Sequence, residues 1–158
     1  MTHKQAWPVL WVGCALFAAL PASAGMTNHY ERNEPRALYI YDQSKSDKPA
    51  DYAVRSGSRL KNPIRLAFRV FGMRVAPAGD MTPGTGHLHL LINTTLTPDM
   101  MDKPIPYDEQ HIHYGNAETE AVLNLPPGQY TLQLVMADGG HVPLNPPLMT
   151  DVMRVTVE

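Results

Sequence analysis

The stretch Pro63-Ile-Arg-Leu-Ala-Phe-Arg-Val-Phe-Gly72 alternates apolar and polar side chains between a proline and a glycine. Successive side chains of a β-strand point to opposite faces, so this alternation predicts a strand with one buried face. The inward face carries Ile64, Leu66, Phe68 and Val70, and the outward face carries Arg65 and Arg69. A half-buried strand of this kind is typical of antiparallel sheets.

Similar short patterns flank this stretch on both sides. The chain holds 15 prolines and 11 glycines, and they punctuate it at the spacing expected for strands joined by turns. No long segment carries a helical apolar stripe. The other predicted strands are Arg36–Tyr41, a weak one at Tyr52–Val54, His87–Asn93, Glu120–Leu125, Tyr130–Met136 and Val152–Val157. The pattern predicts an all-β protein, an immunoglobulin-like antiparallel β-sandwich that forms a single domain.

The first 24 residues have the pattern of a signal peptide. A short basic start precedes an apolar run from Ala6 to Leu20, and Ala22-Ser-Ala24 forms a small-residue cleavage motif. The run is too short for a stable membrane span. We therefore expect cleavage after Ala24 and a periplasmic or secreted chain without a membrane span. Cys14 also allows a lipoprotein interpretation, which the apolar run continuing past it disfavours.

Charge and cysteine content exclude several classes of function. The chain has 13 basic and 15 acidic residues and a net charge of −2, without a basic run. Nucleic acid and anionic membrane surfaces are therefore poor candidates as partners, and we expect no nucleic-acid binding. The single cysteine, Cys14, lies inside the predicted signal peptide. The exported chain would thus lack a disulfide, thiol redox chemistry and the thiolate of a blue-copper centre.

Five of the seven histidines lie where strands would bring them together. They form two His-x-His pairs and one single residue, namely His87 with His89, His111 with His113, and His141. Residues i and i+2 of a strand share a face, so each pair places two imidazoles side by side. Imidazole is the commonest metal-ligating side chain and suits both zinc and copper. The five histidines are therefore predicted ligands of a copper or zinc ion.

Other side chains near these histidines fit around such a site. Metal-bound imidazoles usually donate their second N–H to a carboxylate or carbonyl. The carboxylates within a few residues of a predicted ligand include Asp108, Glu118, Glu120 and Asp138. Cu(I) also accepts thioether sulfur, which makes Met73 and Met81 candidate soft ligands.

Three further motifs occur together in the second half of the chain. They are Phe71-Gly-Met-Arg-Val-Ala-Pro-Ala-Gly79, Gly84-Thr-Gly-His-Leu-His-Leu-Leu-Ile-Asn93 and Leu125-Pro-Pro-Gly-Gln-Tyr-Thr-Leu-Gln-Leu134, and Asp138-Gly-Gly-His-Val-Pro-Leu-Asn-Pro-Pro147 follows them. Their combination resembles the exported bacterial family known as domain of unknown function 4399. The resemblance covers Ser58–Glu158 and implies a fold and compartment but no established activity. The chain then divides into a signal peptide (1–24), an N-terminal strand and loop (25–57) and a β-sandwich domain (58–158).

The chain departs from the family pattern at three positions. The family usually has three consecutive histidines where Leu88 is the middle residue here, and a further histidine where this chain has Leu144. If the family binds metal at those positions, the resemblance implies an altered site. Leu88 would point away from its two neighbours in a strand, so its presence need not remove a ligand. Glu118 replaces the family's usual glutamine and adds a carboxylate near His111 and His113.

Two alternatives to metal binding remain open. In the first, the histidines form a hydrogen-bonded polar layer in a non-catalytic structural or interaction module. The loops Asp42–Asn62 and Thr94–Glu109 would then dock another envelope protein, with Met100, Met101 and Ile105 as an exposed apolar patch. The second alternative is a metal-dependent oxidoreductase, by analogy with the His-x-His strand of copper–zinc superoxide dismutases. The sequence favours a non-enzymatic protein that binds, buffers or delivers copper or zinc.

Overall fold

The computed structural model describes residues 35–45 and 52–158. The predicted signal peptide, its Cys14 and much of the 25–57 segment lie outside these residues. The described part forms ten strands and two short 3-10 turns, at Gln43–Lys45 and Pro98–Met100, and it holds no helix long and apolar enough to cross a membrane. The strands are β1 (Ala37–Asp42), β2 (Arg59–Leu60), β3 (Ile64–Phe71), β4 (Arg74–Val75), β5 (Thr85–Ile92), β6 (His111–Tyr114), β7 (Glu120–Leu123), β8 (Gly128–Ala137), β9 (Pro143–Met149) and β10 (Met153–Val157).

The strands of the described part form two sheets. The smaller sheet has the order β1-β3-β7, and the larger has the order β2-β10-β8-β5-β4, with β6 added beside β5 and β9 beside β8. Pairing is antiparallel except between the short β2 and β10 and between the short β4 and β5. The prediction of an all-β antiparallel sandwich is therefore confirmed. The finer prediction of immunoglobulin-like connectivity stays a prediction.

The hydrophobic core lies between the two sheets. The alternating side chains Ile64, Leu66 and Phe68 of β3 are at most 1% exposed, and they share one apolar cluster with Leu88 and Leu90 of β5. Burying an aliphatic or aromatic side chain of this size stabilises a fold by about 1.5–3 kcal/mol. The odd-numbered side chains of β5, which include both histidines, consequently face away from this core.

Both faces of β5 are nevertheless buried along its whole length. The 94–109 excursion folds back over part of the outer face, where Ile105 packs with Leu91 and Val135. The prediction that Met100, Met101 and Ile105 form an exposed patch is therefore wrong for Ile105, and both methionines are partly buried. Ile105 is only 5% exposed because it covers Leu91, which the sheet would otherwise leave in water.

Two predictions for the segment between β1 and β3, one of a strand and one of a loop, also differ from the structure. Tyr52–Val54 contributes a single antiparallel bridge, Tyr41 to Ala53, rather than a regular strand. The predicted Asp42–Asn62 loop contains β2, which pairs with β10 at the edge of the larger sheet. The end of this segment is thereby fixed to the sandwich.

Candidate metal centre

Three elements of the larger sheet bring four histidines together. β5 supplies His87 and His89, β6 supplies His113, and the turn between β8 and β9 supplies His141. His89 pairs directly with His113, and His87 pairs with Ala137, the last residue of β8 before the turn. Pairing therefore places the imidazoles of His87, His89 and His113 on the outer face of the sheet, and the turn brings His141 Nδ1 within 3.1 Å of His87 Nε2. We call these four residues the histidine cluster.

The ring nitrogens of the histidine cluster converge on one point. His87 Nε2 lies 3.0 Å from His89 Nε2 and 3.1 Å from His141 Nδ1. One ligand atom from each of the four residues can be chosen so that all lie within 4.8 Å of one another. Four nitrogens at about 2.0–2.1 Å from a tetrahedral ion are roughly 3.3 Å apart, so small ring shifts suffice to reach bonding geometry.

The six distances between ring centroids describe a tetrahedron. They are 4.8 Å for two pairs, 4.9, 5.0 and 5.1 Å for three, and 5.9 Å between His89 and His141. Four imidazoles directed tetrahedrally at one ion would have centroids roughly 5.2 Å apart. A square-planar set would instead have two long diagonals, of roughly 6.4 Å. If His89 and His141 formed one diagonal of a square, His87 and His113 would form the other. The His87 and His113 ring centroids are only 5.0 Å apart, which fits a tetrahedron and not a square.

Burial favours the uncharged form of three imidazoles of the cluster, those of His87, His89 and His113. His87 and His89 are 0% and 1% exposed, whereas His113 and His141 are half-buried. Desolvation, followed by the neighbouring His141, lowers the pKa of His87 to about 4, and desolvation followed by His87 lowers the pKa of His89 to about 3. Desolvation also lowers the pKa of His113. Neutral imidazole is the form that binds a metal ion, so the lowered pKa values keep these three side chains ready to bind near neutral pH.

Several nitrogens of the cluster have no hydrogen-bond partner. Nδ1 of His87, Nδ1 of His89 and Nε2 of His113 are buried without a partner among the described residues. An unpaired buried polar atom costs about 1–3 kcal/mol, and a polar network that holds turns would pair such atoms. Nε2 of His113 can therefore join the converging Nε2 atoms of His87 and His89 around an ion, whereas Nδ1 of His87 and Nδ1 of His89 lie on the other edges of those rings and would not contact that ion.

His111 lies outside the cluster, contrary to the prediction of five converging histidines. It shares a strand face with His113, but it pairs with Leu91 of β5 rather than with a histidine. Its Nδ1 instead contacts Asp108 Oδ1 at 2.8 Å. The same oxygen accepts the backbone N–H of Gln110 and of His111, so Asp108 fixes the start of β6.

The other predicted carboxylates make their hydrogen bonds with backbone and side-chain N–H groups rather than with cluster imidazoles, although the charge of Glu118 opposes the lowering of the His113 pKa. Asp138 Oδ1 accepts the N–H groups of Gly140 and Val142 and thereby shapes the turn that holds His141. Glu118 accepts the backbone and side-chain N–H of Asn116. Glu120 Oε1 accepts an N–H from the Gln43 side chain. Among these four predicted residues, direct contact with a histidine ring is seen only for Asp108, and that histidine is His111.

The two candidate methionines occupy different surroundings. Met73 is partly buried against the main core, and Met81 is 69% exposed. Both line a small cavity beside the turn that carries His141. Their role as soft ligands stays a prediction.

Two residues near the cluster were not identified from the sequence. A Cβ placed on Gly115 would lie 2.3 Å from Cε1 and 2.6 Å from Nε2 of His113, so the glycine leaves room for that ring. The sequence did hold a signal for this role of Gly115: the glycine follows His113 by two residues, so an extended chain places both on the same face. Tyr107, which is 81% exposed, packs edge-on against His113 with centroids 5.9 Å apart.

Two of the three departures from the family pattern, the leucines, lie away from the cluster. Leu88 is fully buried on the core side of β5, as its strand position predicts. Leu144 is partly buried against the same core. Neither leucine therefore occupies a place among the four imidazoles.

Comparison with known proteins gives one match. No curated protein and no solved structure shows significant similarity to the chain. The family described as "Domain of unknown function (DUF4399)" matches residues 66–158, which include all four members of the histidine cluster. The match covers more than half of the chain and confirms the resemblance inferred from the sequence motifs. The chain belongs to the DUF4399 family.

Proposed function

We propose that this protein binds a zinc ion or a copper ion through His87, His89, His113 and His141. The observation that carries the proposal is the near-tetrahedral packing of four imidazoles whose nitrogens converge within 4.8 Å. Zinc favours tetrahedral nitrogen ligands, whereas Cu(II) prefers tetragonal geometry. The arrangement therefore favours zinc, or copper in its Cu(I) state.

The proposed role is binding, buffering or delivery of the ion rather than catalysis. Four imidazoles fill a tetrahedral shell, and catalytic zinc sites keep one position open for water or substrate. Two ligands are sealed and two are half-buried, so the ion would exchange from the side of His113 and His141.

The proposed location is the periplasm or the outside of the cell. The support is the signal-peptide pattern of residues 1–24, with Ala22-Ser-Ala24 as its cleavage motif. Purification of the protein from a periplasmic fraction, with N-terminal sequencing, tests both the location and the cleavage after Ala24. Protein that keeps residues 1–24 and is found in the cytoplasmic fraction would contradict this proposal.

Competitive titration tests the proposed site. Wild type, His113→Ala with His141→Ala, and His111→Gln would each be titrated with Zn(II), Cu(II) and Cu(I). We expect the double change to weaken binding of the preferred ion by about 100-fold or more, since loss of ligands should exceed the 10–100-fold effects known for their supporting residues. His111→Gln is the matched control and should bind like wild type. Equal, weak binding by all three proteins would instead favour the protein-interaction alternative.

A further inference from the structure

One short loop holds the backbone around three of the four cluster histidines. It follows β4, spans residues 76–79 and ends the 71–79 motif, to which the proposed metal site assigns no role. We call it the bridging loop. Three of its N–H groups donate to glycine carbonyls, namely Ala76 to Gly86 at 2.8 Å, Ala78 to Gly115 at 2.9 Å and Gly79 to Gly139 at 2.8 Å. The loop therefore connects β5, the end of β6 and the turn after β8.

Each accepting glycine lies within two residues of a different ligand. The three pairs are Gly86 with His87, Gly115 with His113, and Gly139 with His141. A shift of the bridging loop would therefore move three ligands relative to one another. The fourth ligand, His89, is positioned inside the sheet, where it pairs with His113 on one side and with Val135 on the other.

Close backbone packing fixes the bridging loop against the site. A Cβ placed on Gly139 would lie 2.5 Å from the carbonyl oxygen of Asp80, the residue that follows the loop. A Cβ placed on Gly86 would likewise lie 2.4 Å from the carbonyl oxygen of Ala137. The loop closes on itself through a hydrogen bond of 3.1 Å from the Asp80 N–H to the Pro77 carbonyl. All of these contacts join protein atoms, so none of them requires an ion.

We propose that the bridging loop preorganises the histidine cluster and makes it selective for ions that accept tetrahedral ligands. This inference rests on the proposed function and names the part of the chain that sets the ion preference. A site held in one shape disfavours an ion that needs another, and Cu(II) prefers tetragonal geometry. Without such a restraint, the Irving–Williams order would make Cu(II) the most tightly bound of the common divalent ions. The bridging loop thus favours Zn(II) or Cu(I) over Cu(II).

Gly79→Ala tests this role, and Gly57→Ala is its matched control. Both glycines are exposed and left-handed, with φ of 88° and 93°, and a Cβ on either would meet no atom within 4 Å. Each donates its N–H to a backbone carbonyl, Gly79 to Gly139 and Gly57 to Arg154. Alanine is strained at positive φ, so both variants should lose a similar few degrees of melting temperature. Only Gly79→Ala should disturb the site, because Gly57 is bonded to β10, which supplies no ligand.

Ion selectivity and coordination geometry are the readouts for these variants. Competition with a chelator gives the Zn(II) and Cu(II) affinities of wild type and both variants. We expect the ratio of Zn(II) to Cu(II) affinity to fall by about tenfold in Gly79→Ala and to stay within about twofold in Gly57→Ala. Co(II) absorbs visible light strongly at a tetrahedral site and weakly at an octahedral one, so this absorption should weaken only in Gly79→Ala. Wild-type selectivity and absorption in Gly79→Ala, or equal changes in both variants, would overturn the inference.

Hydrogen exchange separates this inference from the proposed function. We expect the N–H groups of Ala76, Ala78 and Gly79 to exchange slowly in chelator-treated wild type, and added Zn(II) to slow them by no more than about threefold. Fast exchange that becomes slow only with Zn(II) would show that the ion forms the site. The inference would then fail while the proposed function stands. Equal metal binding by wild type and by His113→Ala with His141→Ala would instead refute the proposed function, and the inference with it.

Discussion

His89 and His113 lie directly opposite each other on β5 and β6, with ring centroids 5.1 Å apart. His111, on the same strand face as His113, faces Leu91 instead. The pairing register of these two strands therefore decides which histidine of the His111–His113 pair joins the cluster.

His113 and His111 should consequently differ in their effect on metal binding. We expect His113→Ala alone to weaken Zn(II) or Cu(I) binding by about 10–100-fold or more, because it removes one of four ligands. His111→Gln should keep the affinity and should instead loosen the Asp108 contact at the start of β6. Competition with a chromophoric chelator measures both affinities. Equal losses in the two variants would place the site elsewhere.

The metal-free protein should lose stability as the pH falls below about 6.5. His87 and His89 have pKa values of about 4 and about 3 in the fold, against 6.5 for ordinary histidine. Below 6.5 the unfolded chain binds protons that the folded chain does not. The free energy of unfolding therefore falls progressively as the pH drops from about 6.5 toward the folded pKa values.

Calorimetric unfolding of chelator-treated protein at several pH values checks this dependence. Stability from these two histidines is fully present above pH 6.5 and is lost progressively as the pH falls toward the folded pKa values. His87→Phe should flatten part of the slope, because it removes one of the titrating groups. A melting temperature that is constant from neutral pH to about pH 5 would show that these imidazoles are solvated.

Gly115→Ala should separate metal affinity from stability. The new Cβ would collide with the His113 ring, and that flexible ring can move aside at little expense to the fold. We expect an affinity loss of about tenfold with a stability change of less than about 1 kcal/mol. Gly128→Ala is the matched control, since its Cβ would meet nothing closer than 3.6 Å. Metal titration and chemical denaturation of both variants provide the comparison.

His141 adopts a left-handed backbone conformation, with φ of 68°. Asparagine tolerates this region better than most residues, so His141→Asn should keep the turn and remove the ligand. We expect the melting temperature of the metal-free protein to stay within a few degrees of wild type. The stabilisation that added metal gives the wild type should shrink in the variant. A variant stabilised by metal as strongly as wild type would exclude His141 from the site.

Strand alternation made most of the fold predictable from the sequence. The periodic faces of β3, β5 and β8 follow from the apolar residues alone. β9 escaped prediction because Pro143, Pro146 and Pro147 contradict a strand pattern. Prolines are tolerated in edge strands, and β9 pairs only with β8 among the described residues.

The candidate site was predictable in its residue types but not in its membership. Strand periodicity places both members of each His-x-His pair on one face. Periodicity does not fix the cross-strand register between β5 and β6. That register depends on where the 94–109 excursion ends, and Asp108 sets this point by accepting the N–H groups of Gln110 and His111. The backbone role of Asp138 was equally hidden, because nearness in sequence does not distinguish a contact with a ring from a contact with N–H groups.

The 94–109 excursion is hydrogen-bonded to the turn that carries His141. The N–H of Ile105 donates to the carbonyl of His141 at 2.9 Å, while the Ile105 side chain packs on Leu91. Thermodynamic linkage makes the two reciprocal, since any ion that restrains His141 also holds the excursion closed, and opening of the excursion weakens the hold on the ion. Binding of an ion to the histidine cluster would thus protect residues 94–109 from protease cleavage and would slow hydrogen exchange of their backbone N–H groups.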